Sequence, residues 1–219
     1  MRRSTFIKIA GITLTGLIIE PAMAMAQQQH NPRSLFFKDD GVIPNSQYAL
    51  LLYHNVFTER GAAGATWLET HFAANGWTNS WRWGVYPFHH YHSNTHEVLG
   101  VFSGQALLHL GGEQGEKVEV LAGDIIVIPA GVGHKCLTHS NDFTVVGAYP
   151  DGLQPDLNRG EKGERPQTDR NIAAVALPRT DPLLGKNEGL CKFMDSLTCY
   201  RVGSNFTAGA HCTKTKQQL

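Results

Sequence analysis

From Trp81 to Tyr149 the chain is cut into short runs of β-branched and aromatic residues parted by glycine: WRWGVYPF, EVLGVFSGQALLHLGG, KVEVLAGDIIVIPAG and DFTVVGAYP. Short strands at close spacing with turn signals between them predict an all-β sandwich or barrel. Nothing in this stretch alternates strand with helix. One helix is expected, in ATWLETHFAANGW, where Thr66 and Glu69 have capping-box spacing, Trp67, Leu68 and Phe72 recur with helical period, and Asn75–Gly76 supplies a stop. The polar segment Asp151–Arg170, rich in proline and glycine, reads as a surface loop. The apolar piece NIAAVALP after it is placed to return onto the sheet.

The ends read differently. Arg2, Arg3 and Lys8 precede an uncharged apolar run of eleven residues, Ile9 to Ile19, and AMAMA follows with small residues at the spacing of a signal-peptidase site. A membrane-spanning helix needs about 20 residues, so residues 1–26 read as a removable export signal, cut after Ala24 or Ala26. The start resembles a twin-arginine signal. Ser4 and Thr5 both stand between the arginine pair and Phe6, where that pattern has one residue, so ordinary export of the unfolded chain stays open. Roughly 190 residues then remain, enough for one domain with its own core: residues 27–190 as the domain and 191–219 as a tail. Nineteen basic residues balance nineteen acidic ones with no basic stripe, which argues against nucleic acid and acidic membrane surfaces as partners. The four cysteines, Cys136, Cys191, Cys199 and Cys212, are too few for a disulfide scaffold. A bridge within the tail and unpaired thiols are both compatible with their spacing.

PFHHYHSNTHEV, Pro87 to Val98, holds four of the chain's eleven histidines. On a strand, residues two apart share a face, so His90 and His92 point together while His89 and Tyr91 point away. Ser93 and Asn94 suit a turn that brings Glu97 back beside them. Further along, GDIIVIPAGVGHKC places His134 just after a buried strand and a turn set by Pro129, Gly131 and Gly133. Three imidazoles and a carboxylate, His90, His92, Glu97 and His134, make a ligand set for a divalent cation. Cys136 shares parity with His134, though a buried inert thiol is the plainer reading.

These residues resemble the two motifs of the cupins. Gly84, His90, His92, Glu97 and Gly104 fall at every spacing of the first, and Gly123, Pro129, Gly131 and His134 at those of the second, with Thr138 where the family carries asparagine. FFKDDGVIPN, YPFHHYHS, HEVLG, LGGEQG, VVGAYPDG and TDPLLG resemble the YjlB-like subgroup over about Leu35 to Leu190. The resemblance implies a double-stranded β-helix, a jelly-roll barrel with one or two short helices, a metal in its mouth, and assembly into homodimers. It supplies no reaction.

Three histidines and a carboxylate leave one or two positions open on a five- or six-coordinate ion, which suits Fe(II) or Mn(II), with Ni(II), Cu(II) or Zn(II) also compatible. The expected function is therefore a metal-dependent oxidoreductase of dioxygenase type acting on a small oxygen-rich molecule, beyond the inner membrane in the periplasm or outside the cell. A non-catalytic small-molecule or metal binding protein, or a metal-dependent isomerase or decarboxylase, is the alternative. Tyr86 and His96 are the candidates to move a proton. An unbroken strand would also turn Arg82, Tyr86 and Phe88 to the face of His90 and His92, making Arg82 and Phe88 candidate substrate contacts, while Trp81 and Trp83 read as core or interface.

Overall fold

The strand runs pair as antiparallel ladders in two sheets. The structure, a computed structural model, describes residues 31–186 and 188–190. The expected export signal and tail, with Cys191, Cys199 and Cys212, lie outside the described residues. The larger sheet runs in the order β1 (Arg33–Leu35), β2 (Leu50–Tyr53), β7 (Ile125–Ile128), β4 (Glu97–Ser103), β9 (Thr144–Pro150), β3 (Trp77–Trp83). The smaller is β6 (Glu116–Leu121), β5 (Gln105–Leu110), β8 (His134–His139). Among the described residues two helices complete it, α1 (Gly61–Ala74) and α2 (Gln167–Ala174). This is the expected antiparallel jelly-roll barrel.

Side-chain parity builds two cores. Leu99 and Val101 of β4 meet Leu108 and Leu110 of β5 and Ile126 of β7 between the sheets. Val98 of β4 and Val127 of β7 point the other way, onto Leu68 and Phe72 of α1. Strands covered on both faces have no polar side to show, which is why β7 reads as the unbroken run IIVI. Each such Leu or Val contributes about 1.5–3 kcal/mol by leaving water.

Helix α1 starts five residues before Thr66, and no capping box forms. Its N-cap is Arg60, with no side-chain capping bond. Thr66 Oγ1 donates to the Ala62 carbonyl inside the helix, and Glu69 accepts from Arg82. Tertiary packing sets the start: a Cβ at Gly64 would stand 2.7 Å from the Glu59 carbonyl oxygen, and one at Gly100 2.5 Å from Leu68 Cδ2. The helix thus settles on β4 where side chains are missing. The stop falls where expected, at Asn75, with Gly76 at φ +77°. The expected return of NIAAVALP onto the sheet begins instead as the last turn of α2, Asn171–Ala174.

Candidate metal centre

The segment between β3 and β4 carries the histidines, and it is not a regular strand. It is pinned at a few points: His90 N–H donates to the His134 carbonyl (3.2 Å), His134 N–H to the His90 carbonyl (3.0 Å), and Gly131 N–H to the His92 carbonyl (2.8 Å). Gly131 stands at φ +90°, a conformation L side chains rarely adopt, and this turn delivers His134. Parity survives without the ladder. His90 and His92 face the barrel mouth, and Glu97 opens β4 with the parity of Leu99, pointing inward beside them.

His90, His92 and His134 bring one ring nitrogen each within 4.8 Å of one another, a group able to hold a divalent metal. Glu97 Oε2 lies 3.2 Å from His134 Nε2 and 3.5 Å from His92 Nε2. All four sequence-expected ligands therefore converge. The opposite ring edges face backbone carbonyls: His90 Nδ1 faces Phe88 at 3.4 Å, His134 Nδ1 faces Val132 at 3.2 Å, and His92 Nδ1 bonds the Asp156 carbonyl. A carbonyl only accepts, so each proton is held on Nδ1 and each Nε2 lone pair is left for a ligand role.

The electrostatics fit a cation. Burial, then the neighbouring His134, press the His90 imidazole down to about 2, so it stays neutral. Burial alone would lift the Glu97 carboxyl; the neighbouring His92 and His134 rings outweigh it and hold the acid well below the usual carboxylate range. Burial alone would depress His92, and the Glu97 carboxylate outweighs it in turn, raising that imidazole. Glu97 is 3 % exposed and its Oε2 accepts no hydrogen bond. A buried anionic oxygen ringed by imidazole nitrogens is what a divalent ion would satisfy.

Glu97 Oε1 is positioned from behind. Tyr149 Oη donates to it at 3.1 Å and accepts from Trp81 Nε1 at 2.9 Å. Trp81 and Tyr149 also line the cavity over the ligands, about 390 Å³, with Trp83, Tyr86, Leu99 and Leu157. Among the described residues no Lys or Arg lines it. Trp81 reads from the sequence as core or interface and Tyr149 only as part of VVGAYPDG, so neither is expected at the site. Only the cross-strand pairing Trp81↔Gly147 could have pointed to Trp81: a Cβ on Gly147 would fall 2.2 Å from the indole. Gln154 to Leu157, part of the expected surface loop, also form cavity wall.

Of the second rank of candidates, Tyr86 is at the cavity, its ring edge-on to His90 at 5.0 Å. Phe88 stacks on Tyr86 at 4.8 Å, with the Arg159 guanidinium 4.1 Å from its ring centroid, and does not line the cavity. Arg82 is a correction. Its guanidinium forks onto Glu69 of α1 (2.7 and 2.6 Å) on the outer side of the sheet. β3 ends at Trp83, and the irregular segment Gly84–His89 breaks the continuous parity that would have carried Arg82 inward; Trp81 and Trp83 take that direction instead. His96 is the other correction. One residue before inward-facing Glu97, it turns to the opposite side, where Nδ1 accepts from Ala130 N–H (3.1 Å) and burial lowers the imidazole to about 4. Cys136 is buried in the core between the sheets, its thiol pushed up by burial.

The profile of the cupin domain matches residues 84–146. The uncharacterised protein YjlB of Bacillus subtilis strain 168 is 45% identical over 163 residues, 74% of this chain and 96% of that protein. Among solved structures, acireductone dioxygenase from Bacillus anthracis, with a cadmium ion in its active centre, is 21% identical at a TM-score of 0.30, over 43% of this chain and 65% of that one. Oxalate decarboxylase from Bacillus subtilis, a protein with Mn(II) centres, is 17% identical at 0.29, over 51% of this chain and 22% of that one.

Proposed function

Because this chain belongs to the cupin family and gathers three imidazoles and a carboxylate beside an aromatic cavity, we propose that it is a metal-dependent oxidoreductase of dioxygenase type acting on a small oxygen-rich molecule. The observation that carries the proposal is Glu97 Oε2, buried without a hydrogen bond among ring nitrogens whose tautomers are already set. His90, His92, Glu97 and His134 are the proposed ligands, for Fe(II) or Mn(II). Such an ion supplies Lewis acidity and one or two further coordination positions to oxygen chemistry.

The chain's own residues do the rest. The Asp156 carbonyl orients His92, and Tyr149 holds Glu97 Oε1 so that Oε2 faces inward. Trp81, Trp83 and Tyr86 offer flat apolar walls. With no Lys or Arg among the described lining residues, these walls favour a neutral planar molecule such as a phenol over a free polyacid. Tyr86, whose ring meets His90, is the proposed group to hold a proton at its hydroxyl oxygen.

Residues 1–26 are proposed to export the protein, and the barrel to work as a homodimer; N-terminal sequencing of the mature protein and sedimentation in solution check these two statements. The activity is tested by elemental analysis of protein from its native compartment, followed by oxygen uptake with phenols, hydroxy acids and sugars. His92→Ala is expected to lose both metal and turnover. Full turnover in metal-free His92→Ala protein overturns the enzyme, and unchanged oxygen with every compound leaves the barrel a binding module.

A further inference from the structure

We propose that His89, His109 and Glu113 form a second divalent-cation site, outside the barrel mouth, suited to a borderline ion of the zinc class. Parity separates it from the first centre. Leu110 pairs with His134 and His109 with Lys135 across β5 and β8, so Leu110 and His134 face the interior while His109 and Lys135 face out. His89, one residue before inward-facing His90, turns out to meet His109, the ring centroids 4.9 Å apart and tilted at 56°. Glu113 reaches the same place from the β5–β6 turn. One ligand atom from each residue lies within 4.8 Å of the others.

The unusual member is His89. Its side chain is 9 % exposed, and both ring nitrogens are buried without a hydrogen-bond partner. A neutral imidazole always carries one N–H and one lone pair, and few buried polar groups leave both unused. Nε2 lies 3.5 Å from Glu113 Oε1, aimed into the cluster. His109 is itself buried, 4 % exposed, beside the His89 ring. Tetrahedral zinc holds its donors about 3.4 Å apart. Closing the cluster to that spacing falls mainly to Glu113, whose side chain is 72 % exposed. Two imidazoles and one carboxylate leave a fourth position for water.

Two positive charges face the cluster. The Lys135 ammonium is bonded to Glu113, and Lys117 lies opposite His109 on β6. An incoming ion therefore takes the Glu113 oxygen from Lys135, so removing that ammonium strengthens the site.

The test is zinc titration of the full metal-stripped chain by calorimetry, with elemental analysis after dialysis. It is run also in a His92→Ala background, so that failure of the first centre does not mask the second. One equivalent is expected to remain in His92→Ala. Glu113→Gln and His89→Ala weaken that equivalent by at least about tenfold, and Lys135→Met tightens it several-fold. The exposed position of Glu113 keeps the Gln variant folded, which circular dichroism checks. The site is refuted if no equivalent remains in His92→Ala, or if its affinity is the same in Glu113→Gln and His89→Ala, or if Lys135→Met leaves it unchanged or weaker.

Discussion

At the scale of single residues, two substitutions separate a positioning role from a surface one. Tyr149 Oη is the donor to Glu97 Oε1, and its hydroxyl is pushed up, by burial first and then by the Glu97 charge, so it remains a donor throughout the physiological range. Tyr149→Phe keeps the ring and removes that bond together with the one that Trp81 Nε1 donates to the same oxygen. Metal affinity is expected to fall about 10- to 100-fold, the usual effect of losing an outer partner, while the metal-free protein loses about 1–3 kcal/mol from the unpaired Trp81 N–H; competitive chelation reads the first and calorimetry the second. Arg82→Ala, by contrast, breaks an exposed ion pair with Glu69, so metal content and turnover stay at the unsubstituted level. The histidine spacing brought the candidate ligands to one face because two-residue periodicity holds from His90 to His92 even in an irregular extended segment. Arg82 fell outside the site because that periodicity does not carry across the irregular segment Gly84–His89, and His96 because Glu97, the next residue, is the one that faces inward.

At the scale of elements, close approach decides what the cavity looks like. Trp81 of β3 lies across Gly147 of β9, where a Cβ would stand 2.2 Å from the indole ring. Gly147→Ala must displace that ring, an overpacking cost of about 1–3 kcal/mol. The indole is also the donor to Tyr149, so the same change loosens Glu97. A lowered melting temperature together with weaker metal retention is expected, and unchanged metal affinity in a destabilised protein would separate Trp81 from the centre. The strands were legible as apolar runs between glycines. The helix was legible in its apolar period and its stop, whereas its start was set by Gly64 and Gly100, residues whose meaning depends on what packs against them.

For the molecule as a whole, the segment after β9 ties the barrel mouth to its rim. Asn158 pairs with Tyr91, Asp156 accepts from Ser93 N–H at 2.6 Å, and Arg165 forks onto Asp39. Glu164 gathers Tyr91 Oη (2.9 Å), Arg159 N–H and Gly160 N–H (both 2.8 Å). Burial raises the Glu164 carboxyl, but these donors outweigh it and its folded value lies below the ordinary 4.5. The sign follows: a depressed acid contributes stability above its unfolded value, and loses it as pH falls through the folded one. Unfolding of the metal-free protein between about pH 6 and about pH 3 should therefore steepen below about 4.5, and Glu164→Gln should flatten that limb; a slope identical in both proteins contradicts it. By itself the sequence determined the class of fold and which four candidate ligands converge, because strand parity and glycine turns are local and the motif spacings record them directly. Only the tertiary structure decided the cavity walls, the Trp81–Tyr149–Glu97 relay and the conversion of a polar loop into part of the mouth. Those depend on which strands become neighbours across the barrel, and contacts between residues far apart along the chain leave no periodic trace in it.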